Sequence, residues 1–135
     1  MIDYIIKKED NRIYVCQDNY YLVLDTTFQK YINKILLRKL TNLDALEKCT
    51  RKVFGFKNKI PLYLDEKTVL LCIMSYRMPR SMYLNFYAIS KFEKLDNNLI
   101  VYFHSGHCLK LEECHAFNNQ MKKVREVEEF IYFNL

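Results

Sequence analysis

The stretch Tyr83-Leu-Asn-Phe-Tyr-Ala-Ile-Ser-Lys-Phe-Glu-Lys-Leu-Asp-Asn-Asn-Leu-Ile-Val-Tyr-Phe-His-Ser-Gly-His-Cys-Leu-Lys-Leu111 decides the fold. Rich in β-branched and aromatic residues, it reads as three strands joined by two turns, with a basic helix after it. Its second hairpin can be tested by register. A two-residue turn at Ser105-Gly106 would pair Phe103 with Cys108, setting Val101 and Phe103 on the face opposite Leu109 and Leu111. A three-residue loop, His104-Ser105-Gly106, pairs Phe103 with His107 and unites Leu99, Val101, Phe103, Leu109 and Leu111 on one apolar face. It also leaves Gly106 where φ must be positive. Since a slip of one residue would turn a whole apolar set toward water, the second register is the expected one.

Outward from this stretch, the last element runs from about Glu113 to Phe133. Phe117, Met121, Val124, Val127 and Ile131 recur there at the three- and four-residue steps of an amphipathic helix. A second helix is expected over Leu43 to Phe54. Asn42 caps it, Leu43, Leu46, Cys49/Thr50 and Val53 share a face, and Gly55 ends it. Strands follow at Ile60–Leu64 and Thr68–Ile73, joined by a turn at Asp65-Glu66-Lys67. Near the N-terminus, Tyr4–Ile6 and Arg12–Cys16 flank a polar tip, the pattern of a hairpin. Tyr20–Leu24 is a further strand, either buried on both faces or paired at an edge. Phe28–Leu40 is ambiguous: Phe28, Tyr31, Ile32, Ile35 and Leu36 suit a helix, whereas Ile35–Leu37 alone suits a strand. The expected fold is a single α+β domain over residues 1–135, with a mostly antiparallel sheet and two main helices near 43–54 and 113–133.

Composition agrees with a packed domain. Half of the 135 residues are hydrophobic and 15% are aromatic, so a core of useful size can form. With two glycines and two prolines, turns must be made mostly by Asn, Asp and Ser. The first ten residues lack a basic stretch followed by an apolar one, so no secretory signal is read there. No apolar run nears the roughly 18 residues that span a bilayer. Five cysteines without paired short spacings fit a reducing cytoplasm.

Catalytic patterns are wanting. Two isolated glycines cannot build a phosphate-cradling loop. The tightest group of metal-ligand types is His104, His107 and Cys108 with Cys114 and His115. The favoured register sends His107 and Cys108 to opposite faces, which opposes convergence on one ion. Nothing near them supplies an orienting group or oxyanion donors for a Cys–His nucleophile pair. The carboxylate pairs Glu112-Glu113 and Glu128-Glu129 read as solvated helix surface. Neither an enzyme nor a cofactor nor a metal is expected.

The basic residues carry the functional reading. Net charge is +5, from 21 Lys/Arg against 16 Asp/Glu, a bias toward acidic partners. Arg77 and Arg80 lie in one loop, Lys91 and Lys94 on the neighbouring strand pair, and Lys57 and Lys59 before Pro61. Arginine on a short loop suits a narrow, electronegative minor groove in A·T-rich DNA, and lysines at strand edges suit phosphates. The competing reading is a solvated face whose lysines guard sheet edges against aggregation.

The order of these segments resembles the ComK-type competence transcription factors. The resemblance covers roughly Leu43 to Lys123, with a fainter echo in the N-terminal strands. Phe54-Gly55 follows a helix, and Lys59-Ile-Pro-Leu-Tyr-Leu-Asp65 is similar to the family's Lys-x-Pro-Ile strand. Tyr83-Leu-Asn-Phe-Tyr-Ala-Ile89 resembles its Trp-Ile-Asn-like strand. Leu99-Ile-Val-Tyr-Phe-His-Ser-Gly106 resembles its Val-x-Phe-x-Asn-Gly hairpin, and Phe117-Asn-Asn-Gln120 its Phe-Glu-Asn-Gln helix start. The chain departs from the pattern in placing Tyr83 where tryptophan is usual, and in keeping only Phe56, Lys57 and Asn58 of a Gly- and Lys-rich segment. The resemblance implies a cytoplasmic regulator that binds A·T-rich double-stranded DNA through the minor groove as a homo-oligomer. Lys57, Lys59, Lys91 and Lys94 would neutralise phosphates, with Arg77 and Arg80 in or near the groove. The alternative is a small inhibitor or adaptor that has given up DNA and binds a regulatory protein partner, for which exposed tyrosines and phenylalanines would serve equally well.

Overall fold

Alternating apolar residues at both ends of a polar tip fold back on one another at the N-terminus. β1 (Ile2–Lys7) and β2 (Ile13–Gln17) pair antiparallel with Lys7 opposite Ile13, and β3 (Tyr20–Leu24) returns along β2. The computed structural model describes residues 1–8, 10–18, 20–73, 81–112 and 116–133. β4 (Leu62–Asp65), β5 (Thr68–Cys72) and β6 (Ser81–Asn85) complete a six-stranded antiparallel sheet of order β3-β2-β1-β6-β5-β4. A second antiparallel sheet contains β7 (Ile89–Leu95), β8 (Asn98–Phe103) and β9 (Cys108–Glu112) in that order. Among the described residues, three α-helices, α1 (Phe28–Leu36), α2 (Leu43–Phe54) and α3 (Ala116–Phe133), make the fold α+β.

The six-stranded sheet is the middle of three layers. One face presents Ile5, Ile13, Val15, Leu62, Leu64 and Leu70, covered by Phe28, Ile32 and Leu36 of α1 and Leu43 of α2. The other presents Tyr4, Cys16, Val69, Leu71, Met82 and Leu84, which meet Leu99, Val101, Phe103 and Leu111 of the smaller sheet and Phe117, Met121 and Val124 of α3. Being covered on both sides, β5 is buried at every residue, which accounts for its unbroken apolar run.

Much of the expected local structure is observed. Val101 faces Leu109 and Tyr102 faces Cys108, while Phe103 donates its N–H to the His107 carbonyl at 2.9 Å. This is the register of the three-residue loop, and Gly106 adopts φ +99° within it. The loop is tied to the large sheet by Ser105, whose Oγ donates to the buried Asp3 carboxylate at 2.5 Å. In α2, Asn42 Oδ1 accepts the Ala45 N–H at 2.8 Å and Gly55, at φ +72°, donates to the Arg51 carbonyl at 2.8 Å. A Cβ built on Gly55 would have no heavy atom within 4 Å, so Gly55→Ala meets only the left-handed backbone penalty. A loss of about 1 kcal/mol is expected from the urea unfolding midpoint. No loss would mean that the chain relaxes out of this cap at no cost.

One expectation needs revision, and two open readings are settled. The stretch 83–111 holds parts of four strands rather than three, because Tyr83–Asn85 belongs to β6 in the larger sheet. The chain leaves that sheet through a 3-10 turn at Phe86–Ala88, whose Tyr87 N–H is capped by the Asn85 side chain. The ambiguous segment is helical: Thr27 Oγ1 accepts the Lys30 N–H at 3.2 Å, and α1 runs on into a 3-10 turn at Leu37–Lys39. Tyr20–Leu24 resolves as an edge strand, with Tyr20, Tyr21 and Val23 each about half exposed. The last helix begins, among the described residues, at Ala116.

Candidate nucleic-acid interface

The short connection from Gly55 to Pro61 owes its shape to α3. Gln120, buried on α3, donates Nε2 to the Lys59 carbonyl at 2.8 Å, and Lys123 Nζ, one turn further on, donates to the Asn58 carbonyl at 2.6 Å. These bonds hold Lys59 at φ +48°, a left-handed conformation that few non-glycine residues adopt. Phe56 supports the clamp from within, stacked on Phe54 at 5.2 Å and covered by the Lys123 ammonium 5.3 Å from its centroid. Lys57 is exposed at the crest of the connection.

Burial, together with the neighbouring Lys59 charge, pushes the Lys123 amine below its ordinary pKa, and Glu126 opposes the shift. Among the described residues no carboxylate lies within ion-pair distance of Lys57, Lys59 or Lys123. An oxyanion reaching this corner would relieve the repulsion between two cations that the fold holds together. Among the described residues the buried Gln120 Oε1 has no hydrogen-bond partner.

β7 places its two lysines differently. Phe92 stands opposite Val101 and Lys94 opposite Leu99, so both share the face that meets α3, where Phe92 packs edge-on against Phe117 at 4.9 Å. Lys91, opposite Tyr102, points to the outer face. There it lies 4.8 Å from the Tyr102 ring and 3.9 Å from Glu93. Lys94 therefore faces the α3 side and Lys91 does not. Arg77 and Arg80, with the Ser75–Arg80 loop that carries them, lie outside the described residues.

His107 and Cys108 go to opposite faces, as the register implies. His107 turns inward and meets the Tyr21 ring edge-on at 5.8 Å, whereas Cys108 is exposed on the other face. Cys114 and His115 lie outside the described residues, and among the described ones no three His, Cys, Asp or Glu side chains are grouped to hold a metal ion.

The family model described as ComK protein matches residues 3–131, nearly the whole chain. The chain belongs to the ComK family. No curated protein and no solved structure matches it. ComK proteins are competence transcription factors, not enzymes, and the match reaches further into the N-terminal strands than the motifs alone do. Among the described residues of this ComK-family chain, no helix is long and apolar enough to cross a membrane. The Phe117-Asn-Asn-Gln120 segment, quoted above for its resemblance, supplies Gln120 to the clamp on Lys59. Sequence reasoning quoted that segment as a pattern and missed its hold on Lys59, along with Lys123 three residues on.

Proposed function

We propose that this chain is a transcription regulator that binds A·T-rich double-stranded DNA, with phosphates neutralised by Lys57, Lys59, Lys91 and Lys94 and the minor groove entered at or near Arg77 and Arg80. The observation that supports it best is the clamp. Two backbone carbonyls, a buried glutamine and a partly buried lysine serve to hold a short connection bearing Lys57 and Lys59 in a left-handed turn. Such construction is costly for a merely solvated loop. β7 is an edge strand with Lys91 and Lys94 on opposite faces, an arrangement able to meet phosphates on both sides of its rim. Assembly as a homo-oligomer in the cytoplasm belongs to the same reading, and the exposed apolar edge at β3 is compatible with association.

The test is a titration of A·T-rich against G·C-rich duplex at two salt concentrations, with wild type and the Arg77→Ala/Arg80→Ala variant. The variant is expected to lose more than ~1 kcal/mol of affinity and to blunt the A·T preference. Unchanged affinity of the double variant at moderate salt refutes the role given to the two arginines. A second reading, a protein-binding inhibitor or adaptor, is favoured by Phe130, Tyr132 and Phe133, all exposed at the end of α3. Absence of any shift of duplex by the pure protein, with a partner retained on purification, would decide for it.

A further inference from the structure

The charge of this chain is not spread over its surface. Between Phe28 and Phe54 there are seven Lys/Arg against two Asp/Glu, while the other residues carry fourteen of each; the whole net charge of +5 therefore resides in this one segment. In the fold the segment is α1, the turn that continues it, and α2, the helical layer on one side of the six-stranded sheet. All seven cations are exposed. Among the described residues only Lys48 has a carboxylate within ion-pair distance, Asp44 at 3.2 Å, one turn away on the same helix.

Three of these cations form a ridge. Lys30, Lys34 and Arg38 recur every four residues, so successive charges stand about 6 Å apart along α1 and into the turn after it. The ridge borders a cleft of about 730 Å³ floored by Leu24, Tyr31, Ile35 and Leu64. Two carboxylates share that cleft, and both are engaged elsewhere. Asp25 is held by Arg12 at 3.0 Å, and Asp65 accepts the Lys67 N–H at 2.8 Å. A cleft beside a line of unpaired cations gives a sugar–phosphate strand a place to lie, which a convex helix surface would not.

We infer that the α1 ridge of Lys30, Lys34 and Arg38 is a phosphate-binding track for duplex DNA, separate from the Lys57–Lys59 connection and carrying much of the charge-driven affinity. The inference rests on the DNA-binding reading above and moves its electrostatic centre to the helical layer. A protein that neutralises phosphates releases counterions, so the salt dependence of its affinity reports how many phosphates it neutralises.

The experiment titrates an A·T-rich duplex over a series of salt concentrations with three proteins: wild type, K30Q/K34Q/R38Q, and K7Q/K67Q/K110Q. The last removes the same charge from exposed sites outside the helical layer. Circular dichroism checks that each is folded. The ridge variant is expected to lower the slope of log affinity against log salt by about three, one for each phosphate left without its cation, whereas the control keeps the wild-type slope. Equal losses in the two variants would reduce the effect to net charge and overturn the track. An unchanged ridge variant overturns it too while leaving the DNA reading intact. Failure of wild type to bind duplex at any salt removes both.

Discussion

Asn85→Ala is expected to lose about 4 kcal/mol of stability, near the upper end of what a single substitution costs. Asn85 is fully buried and uses both ends of its amide. Oδ1 accepts from the Val69 N–H at 3.1 Å and the Tyr87 N–H at 3.3 Å, while Nδ2 donates to the Ile2 carbonyl at 2.8 Å and the Lys67 carbonyl at 3.1 Å. One side chain thus joins the first strand, the turn before β5, β5 itself and the 3-10 turn that hands the chain to the second sheet. Alanine would leave these backbone groups to find other partners in a site with little water, and each failure costs about 1–3 kcal/mol. Asn85→Asp is expected to be no better. It keeps the two accepting roles, but sets a carboxylate against two carbonyl oxygens. Urea unfolding measures both, and a loss below about 1 kcal/mol for Asn85→Ala would show that water replaces the amide at little cost.

Phe117→Ala is the other large effect, at about 4 kcal/mol. The ring is completely buried where α3, β7 and the central sheet meet, in edge-on contact with Phe92. Its removal leaves a cavity that three different elements would have to collapse together to fill. Because Gln120 lies one turn along, a shift of α3 would also loosen the hold on Lys59. Phe117→Leu should restore most of the stability, since it refills most of the volume. If Phe117→Ala cost no more than Phe117→Leu, the packing at this junction would be far looser than its buried, edge-on rings indicate.

Local chemistry made much of the fold legible. Asn42 and Gly55 announce both ends of α2 because capping needs only the side chain or backbone freedom of one residue. His104-Ser105-Gly106 reveals its register because a single slip would expose a whole apolar face. The break after Asn85 was hidden. Nothing in Leu84-Asn-Phe-Tyr marks a turn until Asn85 is seen to be buried and bonded to residues 2, 67 and 69. Phe28–Leu40 was undecided because its apolar steps suit a helix while the short run at 35–37 alone suits a strand, and packing against Ile5, Ile13 and Leu62 chose the helix.

The candidate site was less legible than the fold. Lys57 and Lys59 were singled out by position, but the glutamine and lysine that hold them come from more than 60 positions away. Lys91 and Lys94 looked like neighbours, whereas the alternation along β7, over their odd three-residue spacing, turns them to opposite faces. The charge of the helical layer was present in the composition all along. It became a surface only once α1 and α2 were seen to cover the same side of one sheet.

The placement of β1 between β2 and β6 has a consequence for how the protein is made. During synthesis β1 finds one neighbour, β2, shortly after it and must wait for residues 81–85 before it acquires the other. Until then one rim of the nascent N-terminal hairpin stays open, with Tyr4, Ile5 and Ile6 beside it. Closing a loop of that length delays the rewarding contacts, so maturation is expected to be slow for a chain of this size and most prone to misassembly while half-synthesised.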